Sequence, residues 1–288
     1  MIKKIQYLFQ TIFVFIFFLV IKALGLKIGR KVFSKLFLFI GPIFKSNGVI
    51  MSNLDKIANF TYQEKNTIKN QMWENYGKTF SEYMYLKKFK ENDNHIEIKG
   101  RKILDNIYKE KKQVIFVSGH FANFELMSME ITKAKISLAT IYRPLNNIFL
   151  NPLMEKLRKK YICPNQIEKG LSGVKKSIEY LNQNHSIAMM IDQRVSEGDK
   201  INFFNNPAFT TTLPAQLAIK YQIDIVPIYI QRNATDNFIM TVYEPLKINN
   251  SEALEIEKKN ISIKLNKILE DMVALNPGQW ILTHNRWK

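Results

Sequence analysis

The sequence predicts an α/β fold: a central mixed β-sheet flanked by helices and led by an N-terminal membrane-anchor helix. Three observations carry this reading. Short β-branched and aromatic runs alternate with helical patterns from about residue 113 onward, residues 5–24 are dominated by Phe, Ile, Leu and Val, and no Pro-, Gly- or Ser-rich linker divides the 288 residues. That length suffices for one large domain with a substantial core, so residues 1–45 read as an anchor with an interfacial basic segment and residues 46–288 as a single catalytic-sized domain.

The N-terminal segment comes first. Residues 5–24, IQYLFQTIFVFIFFLVIKAL, would form a helix of ~30 Å, the thickness of a bilayer hydrocarbon core. Gln6, Gln10 and Thr11 weaken its first half, and no small-residue cleavage site follows, which favours a retained anchor over a removed signal peptide. A second apolar block, Val32 to Phe44, is interrupted by Ser34, Lys35 and Gly41-Pro42 and reads as an interfacial helix. No acidic residue occurs up to residue 54, whereas Lys3, Lys4, Lys22, Lys27, Arg30, Lys31, Lys35 and Lys45 are basic. Such a segment suits an anionic leaflet, at ~1 kcal/mol of attraction per cation near the surface. More of these charges follow the apolar run than precede it, which places the rest of the chain in the cytoplasm.

The next informative stretch is FVSGHFANFE, residues 116–125. Gln113 to Ser118 reads as a buried strand ending near His120, and a helical pattern with Asn123 as a possible N-cap follows. Glu125 then has two readings. As a first-turn carboxylate it is favoured by the helix dipole by ~0.3 to 1 kcal/mol. Alternatively it folds back on His120, accepts one imidazole N–H and leaves the other nitrogen free to take a proton from a substrate hydroxyl.

Downstream, Ser137 to Ile141 reads as a strand leading into YRPLNN, residues 142–147, and then a helix from about Phe149 to Lys160. A helix over Gly173 to Leu181 precedes a strand from Ile187 to Ile191, which ends in Asp192-Gln193-Arg194. After a polar loop a helix starts near Pro214, and Ile225 to Ile230 and Phe238 to Val242 are the last strands. A charged helix, about Ser251 to Leu275, and the tail NPGQWILTHNRWK close the chain. Three strand ends thus carry polar residues, His120, Arg143 and Asp192, at the edge where α/β sheets place their sites.

Composition excludes several classes. The single cysteine, Cys163, rules out an intrachain disulfide framework. His95, His120, His185 and His284 lack metal-ligand spacing, so no metal is expected. A net charge of +17 raises the question of nucleic acid, but no recognition helix, finger or aromatic RNP-like pattern interleaves with the basic residues. Membrane phosphates and acidic partners explain the charge more simply.

Taken in order, HFANFE, YRPLNN, DQR followed by FFNNPAFTTT and PAQLA, and the terminal QWILTHNRWK resemble the late acyltransferases of lipid A biosynthesis, the lauroyl/myristoyl acyltransferase family. The resemblance extends to the N-terminal anchor and to the helix MWENYGKTFSEY, Met72 to Tyr83. It implies a bacterial inner-membrane enzyme that moves a fatty acyl chain from acyl carrier protein, less often from coenzyme A, to a hydroxyl of a lipid A precursor. No metal, cofactor or acyl-enzyme is implied. The family's His-x4-acid motif falls on His120 as general base and Glu125 as its orienting partner. Arg143, Asp192, Gln193 and Asn123 fall in the substrate-binding set. A glycerolipid or glycolipid acyltransferase is the nearest alternative, and a non-enzymatic membrane-surface protein a more distant one. In the tail, Leu282, Thr283 and Asn285 depart from the aromatic and basic residues that family members often carry around the histidine, and Trp280, Arg286 and Trp287 suit an interfacial anchor.

Overall fold

The computed structural model describes residues 2–248 and 253–288. Four helices open the chain: α1 (Ile2–Leu24), α2 (Leu26–Phe44), α3 (Asn47–Ile57) and α4 (Tyr62–Glu82). After a 3₁₀ turn come α5 (Leu86–Glu91), β1 (Ile96–Lys99) and α6 (Arg101–Lys109). Strands and helices then alternate through β2 (Val114–Ser118), α7 (Glu125–Lys133), β3 (Leu138–Tyr142), α8 (Asn151–Tyr161), β4 (Asn165–Glu168), α9 (Leu171–Asn182) and β5 (Ser186–Met190). A hairpin of β6 (Asp199–Phe203) and β7 (Asn206–Thr210) leads to α10 (Leu213–Tyr221), β8 (Asp224–Arg232), β9 (Phe238–Val242) and α11 (Leu254–Leu275).

Seven strands form one mixed sheet in the order β1-β9-β8-β2-β5-β3-β4. From β8 to β4 all neighbours are parallel, while β9 runs antiparallel to β8 and carries β1 parallel to itself. Central β2, VIFVS, is buried at every position, as a strand covered by helices on both faces must be. Its side chains feed two cores. Ile115 and Val117 pack on one side with α10, α11 and the tail, and Val114 and Phe116 on the other with α6 and α7.

Several elements were not anticipated. Strands β1 and β4 are short, partly polar sheet edges, so they lack the apolar run that betrays a central strand. The hairpin closes through Phe204-Asn205, both left-handed at φ 49° and 57°, the geometry of a type I′ turn without its customary glycine. The charged C-terminal helix begins at Leu254; the expected start at Ser251 lies outside the described residues.

Helices α1 and α2 pack onto the remainder. Gly77 of α4 lies so close to α2 that a Cβ there would meet the Phe33 carbonyl oxygen at 2.1 Å, so only glycine permits this helix approach. Phe18 and Ile21 of α1 are buried against Phe33, with Phe80 of α4 stacked on Phe33 at 5.7 Å. The rest of α1 exposes Leu8, Phe9, Phe13, Ile16 and Leu19. Among the described residues it is the one helix long and apolar enough to cross a membrane, and is compatible with an anchor.

Candidate active site

The parallel register builds the site. Ser118 of β2 pairs with Met190 of β5, so the residues two positions beyond each strand, His120 and Asp192, arrive opposite one another. The His120 Nδ1 lies 2.7 Å from Asp192 Oδ1, and the His120 backbone N–H donates to Asp192 Oδ2 at 2.9 Å. The Trp280 indole N–H donates to the same Oδ2 at 2.8 Å. Asp192 is 3% exposed. Burial alone would raise its pKa, but the facing imidazole and the donated N–H bonds outweigh it and hold the carboxyl at about 2. An ionised Asp192 favours the tautomer with the proton on Nδ1, in which the lone pair is on Nε2.

The contact expected between His120 and Glu125 is not made. Glu125 is the first residue of α7, and its carboxylate turns to the Tyr83 hydroxyl (2.5 Å) and to Arg158 of α8 (2.6 and 2.8 Å). All three are largely buried, and the Arg158 guanidinium also sits over the Tyr142 ring at 5.6 Å. A spacing of five says nothing about where a first-turn side chain points, and here a full cation on the neighbouring helix takes it. Asn123 is likewise displaced from its expected role. It does not cap α7; it is 1% exposed and donates to Glu82 at 2.8 Å.

Glu82 is the hub of a network absent from the sequence reading. It is fully buried at the end of α4 and receives Arg30 of α2 at 2.7 Å together with Arg232 from the end of β8. The loop after β2 is therefore held from several sides. Ala122, left-handed at φ 43°, presents its carbonyl to Thr79 and its N–H to the Gln279 carbonyl. The Ile281 N–H donates to the His120 carbonyl. The amides of His120, Phe121 and Ala122 are thus all spent, on Asp192, Gly119 and Gln279 respectively, and none is free for a substrate oxygen.

The tail is not an interfacial anchor. Trp280 and Arg286 are each 1% exposed, and Arg286 donates to the Phe209 carbonyl and to Thr210 on β7. Trp287 stacks on Phe203 at 5.4 Å and donates to its carbonyl. The tail binds the β6–β7 hairpin and, through Trp280, the His–Asp pair. His284 lies on this side too. Burial lowers its pKa, Asp192 opposes that shift, and His120, Lys45 and Arg143 add to it.

His120 opens on a cleft lined by Tyr142, Arg143, Lys169, Gln193 and Leu213. Arg143 is exposed and forms no hydrogen bond or ion pair with another described residue. Lys169 follows β4, and its pKa is lowered by burial and then by Arg143, which places two cations side by side. The Gln193 amide nitrogen is 3.5 Å from the His120 ring. Next to the cleft runs an apolar trough between α9 and α10, lined by Ile141, Leu171, Val174, Val195 and Leu213.

A carboxylate-held imidazole at the carboxyl edge of an α/β sheet, on a cleft that also holds two cations and adjoins an apolar trough, is an arrangement able to move a proton to or from a bound group. The chain belongs to the bacterial lipid A biosynthesis acyltransferase family, whose model matches residues 2–288, and it is an acyltransferase. Among curated proteins none matches the chain significantly.

Proposed function

We propose that the enzyme transfers a fatty acyl group from an acyl carrier protein thioester to a hydroxyl on an acyl chain of a lipid A precursor, a secondary acylation, at the cytoplasmic face of the inner membrane. His120 is the general base and Asp192 the carboxylate that orients it, the role the family resemblance had implied for Glu125. Nε2 of His120 takes the hydroxyl proton as the oxygen attacks the thioester carbonyl. The tetrahedral oxyanion collapses, the C–S bond breaks, and the imidazolium returns the proton to the departing thiolate. No acyl-enzyme intervenes. A positioned base contributes ~10² to 10⁴-fold to such a step.

The observation that carries this reading is the 2.7 Å His120–Asp192 contact at the mouth of the cation-lined cleft, in a chain of this family. With the neighbouring amides spent, Arg143, Lys169 and Gln193 remain as donors for the oxyanion or for a phosphate of donor or acceptor. The apolar trough suits an acyl chain. Glu125 holds Arg158 beneath Tyr142 and so supports the strand end that presents Arg143. The net charge of +17 suits an acidic carrier protein as donor, as it would the phosphates of coenzyme A, so the two donors are told apart by the test below.

The test is acyl transfer by purified His120→Ala beside the wild type, with the same chain presented on carrier protein and on coenzyme A at several salt concentrations. Loss of transfer in the variant is expected. So is a KM that rises with salt for the protein-borne donor, because screening sets in over a Debye length of ~10 Å at 0.1 M. Transfer unchanged in His120→Ala would refute the mechanism, and a salt-insensitive KM would favour coenzyme A. Mass spectrometry of lipid A from cells lacking the gene should show one secondary acyl chain missing.

A further inference from the structure

The loop between β3 and α8 carries a feature that neither the fold nor the chemistry requires. Within five residues it exposes Leu145, Ile148 and Phe149, at 37%, 51% and 42% of their surface. Single exposed apolar residues are ordinary, but three on one short loop form a patch. Between them sits Asn147, only 8% exposed, whose side chain ties the C-terminal end of the loop to α1. Its Oδ1 accepts the N–H groups of Phe149 and Leu150, and its Nδ2 donates to the Tyr7 carbonyl of α1 at 2.9 Å and to Gln10 at 3.3 Å. The Thr11 hydroxyl of α1 sits 3.1 Å from Oδ1 and shares its one proton with the nearer Tyr7 carbonyl, 2.7 Å away. The polar residues of the apolar helix are thus the ones that grip this loop.

We infer that the loop of residues 145–149 is a second membrane-contact element, latched to α1 by Asn147, which dips Leu145, Ile148 and Phe149 into an anionic bilayer and sets the mouth of the His120 cleft at the lipid surface. The occupant is a lipid surface because Asn147 ties the loop to α1, which itself exposes Leu8, Phe9 and Ile12 on its other faces, and because the charges beside the loop suit anionic headgroups. Arg143 precedes it, and α8, which follows, carries Lys156, Lys159 and Lys160 against one acidic residue, Glu155. An acceptor anchored in the bilayer by its acyl chains then reaches His120 without leaving the membrane.

This inference rests on the membrane reading of the protein, and its test separates the two. Cys163 is fully buried, with its thiol pKa raised by burial, so a cysteine placed at residue 148 can be labelled selectively with an environment-sensitive fluorophore. Full-length protein carrying Ile148→Cys is bound to vesicles of phosphatidylethanolamine and phosphatidylglycerol, some with doxyl-labelled acyl chains, and Tyr108→Cys on α6 serves as the reference. The expected result is blue-shifted emission, quenched by the doxyl lipid, at 148 and water-like, unquenched emission at 108. Water-like emission at 148 in vesicle-bound protein overturns the inference and leaves the anchor untouched. Failure of the protein to sediment with vesicles overturns the membrane reading and the inference with it. A triple variant, Leu145→Ser, Ile148→Ser and Phe149→Ser, should raise KM for vesicle-embedded acceptor by roughly tenfold or more while sparing kcat on detergent-dispersed acceptor. An unchanged KM on vesicles also overturns it.

Discussion

Replacing Asp192 by Asn removes one charge from the site and almost no volume. In the wild type two carboxylate oxygens receive three donors: the His120 ring N–H, the His120 backbone N–H and the Trp280 indole N–H. An asparagine offers one accepting oxygen and an NH₂ group. If the oxygen keeps the backbone and indole donors, the NH₂ faces Nδ1 and can bond only a ring whose proton has moved to Nε2. The base is then blocked, and kcat should fall by ~10² to 10⁴-fold with little change in KM. If the oxygen instead faces Nδ1, the NH₂ meets two buried donors, at a cost of ~1 to 3 kcal/mol each for the bonds left unmade. The assay is single-turnover and steady-state acyl transfer in detergent micelles, with thermal unfolding measured on the same samples. A folded Asp192→Asn enzyme with kcat within a few-fold of wild type would refute the assignment. A Glu125→Gln enzyme that loses more activity than Asp192→Asn at equal stability would return the orienting role to Glu125.

Glu125→Ala should act on stability. Breaking a buried pair leaves the Arg158 guanidinium uncompensated, at ~3 to 5 kcal/mol, and the double variant with Arg158→Ala should be less damaged than the sum of the singles, which thermal melts of all four proteins would reveal. For Asp192 the folded pKa of about 2 lies below its ordinary 3.8, so its contribution is fully present above 3.8 and is lost as pH falls toward 2. At ~1.4 kcal/mol per unit that is ~2 to 3 kcal/mol, and the urea midpoints of wild type and Asp192→Asn should converge across this window. Removing residues 2–24 uncovers Phe33 and Phe80 and frees Asn147, so the truncated protein should melt earlier and bind acceptor more weakly even in detergent. Its kcat should survive, and an unchanged Tm would show that α1 does not pack as described.

The central strands were legible because burial on both faces leaves unbroken β-branched runs such as VIFVS, and with them the strand-end residues His120, Arg143 and Asp192. The partner of His120 was not, because proximity along the chain is a poor guide where parallel register joins positions 72 apart. With the strand read to Ile191, Asp192 stood one residue beyond it and His120 two beyond Ser118; the equal offset that pairs them appears only because β5 ends at Met190. Glu82 and Arg232 offered no local signal; a buried charge shows itself only once its counter-ions from other elements are placed. Gln10 and Thr11 read as flaws in an apolar helix because nothing in the sequence reveals Asn147 across from them. The aromatic tail fitted a membrane interface by composition, whereas its tryptophans are filled by Asp192 and Phe203.

Trp280 also sets a clock. During synthesis His120 and Asp192 leave the ribosome well before residue 280, and for that interval the carboxylate lacks its indole donor and Ala122 its bond to Gln279. At ~5 to 20 residues per second, the 88 residues between Asp192 and Trp280 take several seconds to appear. By then α1, β2 and β5 have all been made, so the tail is the last element to join the His120–Asp192 pair.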